Sequence, residues 1–264
     1  MSQKIKEHVQ KLLAEGKIRG FLGLREEHGN IMPHLFCDPK ELDSLSLGDW
    51  KKSGDTRYPL NQLMIQLALA YPNETFAVLV RGCDERGLRE LFKWKQLAED
   101  KVILIGIGCP DELAMACECE KPFPDSWIDG PKGEKADSQK VAQVEAMDLD
   151  TRLQFWKAEF NRCIKCFGCR NVCPMCFCNE CSLEEDQLVG TGEIPPANPT
   201  FHLTRAIHMV GRCIDCGLCE EACPADIPLR TLYKKVAEII SNEFGYKTGF
   251  SVDEKSPLNI IEVK

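Results

Sequence analysis

Near the start of the chain, apolar residues recur at helical spacing. Ile5, Val9, Leu12 and Leu13 form one stripe over residues 2–15, and Gly16 stops it. The pattern then shortens. Residues 21–25 and 31–36 read as two strands around the turn Glu27-His28-Gly29-Asn30. Residues 37–58 have no clear period. Helical spacing returns over 60–70 and ends before Pro72. Residues 76–80 and 102–107 are unbroken apolar runs, which suit strands covered on both faces. Between them lies a helix that buries Leu88, Leu91 and Phe92, with Asp84 as its expected cap. Strand, helix and strand within about 30 residues predict a right-handed crossover with parallel strands.

From 121 to 140 the composition turns to Pro, Gly, Lys and Asp, which reads as a surface linker and a domain boundary. Beyond it the pattern is helical. One helix, from about Asp150, places Leu153, Trp156 and Phe160 on one face. Residues 190–199 form a Gly/Pro loop. Thr200 opens a helix with Leu203, Ile207 and Val210 on one stripe. Asp226-Ile227-Pro228 opens another, with Leu232, Val236, Ile239 and Ile240 on one stripe. After Asn242 the period dissolves. Phe244, Tyr246, Phe250, Leu258, Ile260 and Ile261 then read as an extended tail, lying on its own protein or on a partner subunit. The expected organisation is an α/β amino-terminal domain with a small parallel sheet over 1–120, then a linker over 121–146. A mainly α-helical domain over 147–240 and the tail over 241–264 follow.

The helical part carries one string twice: Cys163-Ile-Lys-Cys166-Phe-Gly-Cys169-Arg-Asn-Val-Cys173-Pro174 and Cys213-Ile-Asp-Cys216-Gly-Leu-Cys219-Glu-Glu-Ala-Cys223-Pro224. The form CxxCxxCxxxCP is the two-cluster ferredoxin run. Three thiolates at short intervals wrap one corner of an iron–sulfur cube, and the fourth points away to the partner cube. The expected ligands of one 4Fe-4S cluster are Cys163, Cys166, Cys169 and Cys223. Those of the other are Cys213, Cys216, Cys219 and Cys173. A single copy would also suit zinc; tandem copies with both prolines point to two cubes. About 40 residues of loop and helix separate the strings. That spacing favours a helical dicluster ferredoxin, with each string joining two helices, over the compact strand-bearing kind.

Seven more cysteines are candidates for a third centre. Cys83 and Cys109 each follow an apolar run, at the sheet edge where open α/β folds hold ligands, and Cys117 and Cys119 come soon after. Cys176, Cys178 and Cys181 lie directly beyond Pro174. An iron–sulfur or zinc centre drawn from among them is one reading. Packing of a small buried residue is the plainer one for some. His28 reads as solvated and His34 as a satisfied core histidine. His202 and His208 are six apart, so they do not share a helix face, and both read as structural or as lying behind the ligands. Trp156 and Phe160 read as a wall that keeps water from a cluster. Lys165, Arg170 and Arg212 sit beside ligands, where they either stabilise reduced clusters or are solvated.

Composition narrows the class. The chain has 264 residues, room for two domains, and a net charge of −8. That charge argues against nucleic acid or an anionic membrane and fits docking to a protein. Sixteen cysteines would suggest disulfides in a small secreted protein. Here half lie in the two strings, and the first ten residues are polar and charged, unlike a secretory leader. No apolar run reaches the ~18 residues of a membrane helix. A cytoplasmic protein of anaerobic metabolism is expected.

Some stretches resemble a known family. Arg81-Gly-Cys-Asp-Glu-Arg86, followed by Ile105-Gly-Ile-Gly-Cys109, resembles the amino-terminal domain of beta subunits of deazaflavin-coenzyme hydrogenases and formate dehydrogenases. Cys173-Pro-Met-Cys-Phe-Cys-Asn-Glu-Cys181 and Phe201-His-Leu-Thr-Arg205, with His208-Met209, resemble the iron–sulfur part of formate-dehydrogenase-type beta subunits. These also occur beside heterodisulfide-reductase-like proteins. The resemblance spans roughly residues 20–228. It implies an electron-transfer subunit between a formate dehydrogenase or hydrogenase catalytic subunit and a flavoprotein or heterodisulfide-reductase-like partner, with no catalytic residue of its own. Family members that reduce the deazaflavin carry a further large domain for FAD and coenzyme, whereas this chain ends soon after the second string. No GxGxxG follows a strand in the first domain either. The competing readings are a reductase subunit with flavin or substrate at the strand ends near Cys83 and Cys109, and a redox sensor built on Cys176–Cys181.

Overall fold

A computed structural model describes residues 3–50, 56–190 and 192–258. They fall into two compact units, Met1–Asp137 and Ser138–Lys264. Helix α1 (Gln3–Ala14) buries Ile5, Val9 and Leu12 and leaves Lys and Glu outside, as the spacing predicts. Strands β1 (Gly20–Glu27) and β2 (Asn30–Phe36) pair antiparallel, from Phe21 opposite Phe36 to Glu27 opposite Asn30. His28 and Gly29 join them at φ 52° and 76°, the mirror-image two-residue turn whose twist matches the strands. His28 is exposed, as expected. His34 is half-buried beside Glu41, with Nε2 3.5 Å from the carboxylate.

Strand β3 (Leu45–Ser46) also pairs antiparallel with β1. On the other side β1 pairs parallel with β4 (Phe76–Val80), and β4 pairs parallel with β5 (Val102–Ile107). The last strand, β6 (Trp127–Asp129), is parallel to β5. The order is β2-β1-β4-β5-β6. The sheet is therefore mixed, with a parallel core and an antiparallel edge, rather than simply parallel. The hairpin that the sequence predicts shares β1 with the crossover unit, which makes one sheet of what reads as two pieces. All five residues of β4 are buried, the result of cover on both faces.

Helix α2 (Leu60–Ala70) begins and ends where the spacing puts it. Helix α3 (Gly82–Lys93) starts two residues before Asp84. Asp84 is therefore not the cap but the third residue, and its carboxylate accepts the Arg81 N–H at 3.0 Å. The early start depends on Gly82, because a Cβ there would overlap the Lys121 carbonyl. Helix α4 (Asp111–Ala116) follows β5.

Residues 121–137, expected as linker, hold β6 and pack closely on the sheet. Gly108 N–H donates to Asp129 O at 3.0 Å, and Gly133 N–H to Cys109 O at 2.9 Å. The Gly content reflects this close approach of backbones, not chain freedom. The pivot is Glu85, 1 % exposed, whose carboxylate accepts the N–H groups of Asp125 (2.6 Å) and Ser126 (3.0 Å). Glu85→Ala is expected to cost the first unit about 3 kcal/mol, because two charge-assisted bonds go at once. An earlier urea midpoint of the sheet signal in circular dichroism would register it, and an unchanged midpoint would contradict it.

The second unit has no strand among its described residues. Helix α5 (Gln139–Glu145) is capped by Ser138, and α6 (Leu149–Asn161) by Asp148, whose side chain accepts the Thr151 N–H at 2.9 Å. Two four-residue turns, α7 (Gly168–Asn171) and α9 (Leu218–Glu221), lie inside the cysteine strings and pack on each other. Helices α8 (Thr200–His208) and α10 (Leu229–Phe244) complete the unit. Three stripes depart from expectation. Leu153 on α6 is exposed, while Phe160 is buried. On α8 the buried face is Phe201, His202, Arg205 and Ala206, and Leu203 and Ile207 face outward. On α10, Leu229, Thr231, Tyr233 and Ile240 are buried, and Ile239 is exposed. The two small cavities of this unit are lined by thiols, and His202, Arg205 and Tyr233 turn toward them.

Gly245, at φ 67°, ends α10 and donates to Ser241 O at 3.0 Å. Beyond it Tyr246 and Ser256 are buried, with the Ser256 hydroxyl 3.5 Å from Gly211 O, so this part of the tail lies on its own unit. Phe244 and Leu258 are exposed, and Ile260 and Ile261 lie outside the described residues. Among the described residues no helix is long and apolar enough to cross a membrane.

Candidate metal centres

The two cysteine strings fold alike. Lys165 and Phe167 in the first have φ 54° and 58°, and Asp215 and Gly217 in the second have φ 55° and 83°. Alternating left-handed residues turn backbone N–H groups toward the concave side of each loop, a nest for anionic sulfur. Lys165 N–H and Gly168 N–H point at the sulfurs of Cys163 and Cys166, both at 3.4 Å. Phe167 holds the left-handed position without being glycine, a local strain of the kind seen at ligand sites.

Each string then runs through its short turn and ends on a fourth cysteine. One small cavity is lined by Cys163, Cys166, Cys169 and Cys223. A second is lined by Cys213, Cys216, Cys219 and Cys173. Each thus has three thiols from one string and one from the other. The crossover is possible because α7 and α9 touch: a Cβ on Gly168 would stand 3.0 Å from Ala222 O. Burial raises the thiols of Cys163, Cys169 and Cys219, and pushes Cys213 up to about 12. Such thiols become thiolates only beside a compensating cation. The donor set, its enclosure and the inward N–H groups all fit a cubane cluster, which is bound at its corners. Among the described residues no three His, Cys, Asp or Glu side chains converge as a single metal ion would need.

The other seven candidates fall into two groups, one in each unit. In the first unit Cys83 lies near Cys109 and Cys119 at the carboxyl edge of the sheet. Arg57 donates to the Cys83 sulfur at 3.0 Å, and Arg81 to the Cys109 sulfur at 3.1 Å. Arg81 is fixed in turn by the Leu47 and Asp49 carbonyls. Cys117 packs with Cys109, Leu113 and Cys119 in an apolar cluster. In the second unit each member of the triplet faces an arginine. Arg205 reaches Cys176 at 3.3 Å, Arg212 reaches Cys178 at 3.9 Å, and Arg170 bonds Cys181 and pairs with Glu184. Lys165 reaches the Gly190 carbonyl. The Cys173 side chain and the Arg205 guanidinium hold the Cys176 thiol below its ordinary range, while the neighbouring Cys176 and burial raise Cys173.

In the sequence Arg205 stood out only as part of the Phe201–Met209 run, and Tyr233 not at all. Arg205 is 3 % exposed, donates to Cys169 O at 2.7 Å and lies over the Tyr233 ring at 5.8 Å. It lines the second cavity with Tyr233, while His202 lines the first. The available signal was the spacing of Phe201, His202 and Arg205, which shares one helix face. His208 is exposed. Trp156 stacks on Phe160 at 5.6 Å and Phe160 on His202 at 4.4 Å, so an aromatic wall does stand behind the first cavity.

Residues 206–228, which hold the second string, match the model of the 4Fe-4S binding domain. Over 105 residues the chain is 48% identical to the F420-dependent formate dehydrogenase subunit beta of Methanocaldococcus jannaschii, covering 40% of this chain and 27% of that one. It is 45% identical over 105 residues to the F420-dependent formate dehydrogenase 1 subunit beta of Methanococcus maripaludis, covering 40% of this chain and 26% of that one. The chain spans about a quarter of the length of these curated relatives. Over the matched stretch it is formate-dehydrogenase-beta-subunit-like, as the cysteine runs suggested, and it carries a 4Fe-4S ferredoxin domain.

Proposed function

We propose that this iron–sulfur, ferredoxin-bearing chain is the electron-relay subunit of a cytoplasmic redox complex and holds two 4Fe-4S clusters. One observation carries the reading: each of two neighbouring cavities is lined by four cysteines, three from one string and one from the other. Cys163, Cys166, Cys169 and Cys223 would hold one cluster, and Cys213, Cys216, Cys219 and Cys173 the other. A bound cluster supplies one-electron redox chemistry. The chain's own residues do the rest. Phe167, Phe201 and Ile227 keep water from the first cavity, and Met175, Ile214 and Tyr233 keep it from the second. The Arg205 guanidinium offsets negative charge beside the second.

The donor is proposed to be a formate dehydrogenase or hydrogenase catalytic subunit. The acceptor is proposed to be a flavoprotein or a heterodisulfide-reductase-like subunit. The names of the relatives support formate chemistry, and the sequence resemblance alone supports the rest. A second reading draws on the guanidinium–thiol pairs at the sheet edge, Arg57 with Cys83 and Arg81 with Cys109. Paired cations beside buried sulfur suit a further iron–sulfur centre there, or a flavin or substrate group.

Iron and acid-labile sulfide, measured anaerobically, separate these. About eight irons per chain and no released flavin are expected for the relay; about twelve irons would add the third centre. Colourless, iron-free protein that still works in its complex would refute the relay.

A further inference from the structure

Each of the two cavities is faced by one polar side chain that has no partner. His202, on α8, lines the cavity of Cys163, Cys166, Cys169 and Cys223. It is 2 % exposed, and neither ring nitrogen makes a hydrogen bond. Its plane is fixed: Phe160 stacks on it at 4.4 Å with 18° between the rings, and Phe201 meets it edge-on at 5.1 Å and 80°. Tyr233, on α10, lines the cavity of Cys213, Cys216, Cys219 and Cys173. It too is 2 % exposed, and its hydroxyl is unpartnered.

A buried polar group left without a partner costs about 1–3 kcal/mol, so native proteins seldom keep one. Several buried polar atoms of the described residues lack a partner, and those of His202 and Tyr233 lie one beside each cysteine quartet. A neutral imidazole always has one N–H to donate, and a phenol has its O–H. Both rings are buried, and the His202 ring is held between Phe160 and Phe201. The acceptors that the cavities would present are sulfurs, and hydrogen bonds to sulfur raise the reduction potential of a cluster by stabilising the added electron.

We propose that His202 and Tyr233 are positioning residues for the two clusters, each donating one hydrogen bond to sulfur in its own cavity, so that the two potentials are set independently. This rests on the relay reading above. It goes further by assigning one tuning donor to each cluster.

The test is an EPR-monitored redox titration of the intact, iron-loaded chain, with iron and sulfide counted on each sample. His202→Leu is expected to shift one midpoint to lower potential and leave the other in place. Tyr233→Phe, which keeps the ring and removes only the hydroxyl, is expected to shift the other midpoint alone. His202→Gln, which restores an N–H donor, is expected to recover part of the first shift. If both midpoints stay at their wild-type values in Tyr233→Phe and His202→Gln matches His202→Leu, at full iron content, the donor assignment is wrong while the relay reading stands. Absence of iron from the wild-type chain would overturn the relay reading itself, and the assignment with it.

Discussion

Cys216→Ser is expected to convert or empty the second cavity and stop electron relay, while Cys166→Ser does the same to the first. A serine hydroxyl stays protonated at neutral pH and is a harder, weaker ligand for iron than a thiolate. Cys216 is buried on the wall of its cavity, so no solvent ligand can easily replace it; Cys166 is exposed, so its variant is the milder one. Iron analysis should fall by about one atom where a cube loses a corner, or by about four where it is lost. Transfer to the acceptor should disappear in both variants, while the catalytic partner's own reaction with an artificial acceptor continues. Full physiological transfer through both variants would defeat the account.

Stripping iron is expected to melt the second unit and spare the first. The four-residue turns α7 and α9 are far too short to stand alone. The inward faces of α8 and α10 set His202, Arg205 and Tyr233 among their apolar residues, beside the thiols. In small metal domains the binding energy of the metal is the folding energy, on the order of 10 kcal/mol. That is comparable with the roughly 5–15 kcal/mol that holds a whole domain. The first unit needs no such help, because β4, β5, Phe21, Phe36 and Leu88 form a core of its own. Chelation under reducing conditions should remove helical circular dichroism and open residues after 138 to protease, with the sheet signal kept. Unchanged helicity in iron-free protein would show that the cavities are not built around a cluster.

Much of this was legible in the residues. Unbroken apolar runs gave β4 and β5, and two short runs around a His-Gly turn gave β1 and β2, because strands of a buried sheet are short and apolar. The doubled cysteine string led to the quartets proposed above, since the spacing of ligands is itself a geometric record. Other features were not legible. Residues 121–137 look like a linker by composition, yet Gly130 and Gly133 press on the backbone at the end of β5, and Gly82 of α3 lets Lys121 come close. The stripes on α8 and α10 were misread because apolar periodicity takes every inward position to be apolar, whereas His202 and Arg205 on α8 and Tyr233 on α10 face the cysteine cavities. Arg57 lies in a stretch without pattern, so only the fold could bring it to Cys83. The triplet Cys176, Cys178 and Cys181 stood out as chemistry, but its three arginine neighbours come from separate segments.

The exchange of fourth cysteines between strings has a bearing on how the molecule is made. On this ligand set, the first cavity is not complete until Cys223 has left the ribosome, sixty residues after Cys163. Neither half can be loaded by itself during synthesis. Loading should then follow synthesis of both strings, and a nascent chain stopped before Cys213 should hold no complete cube.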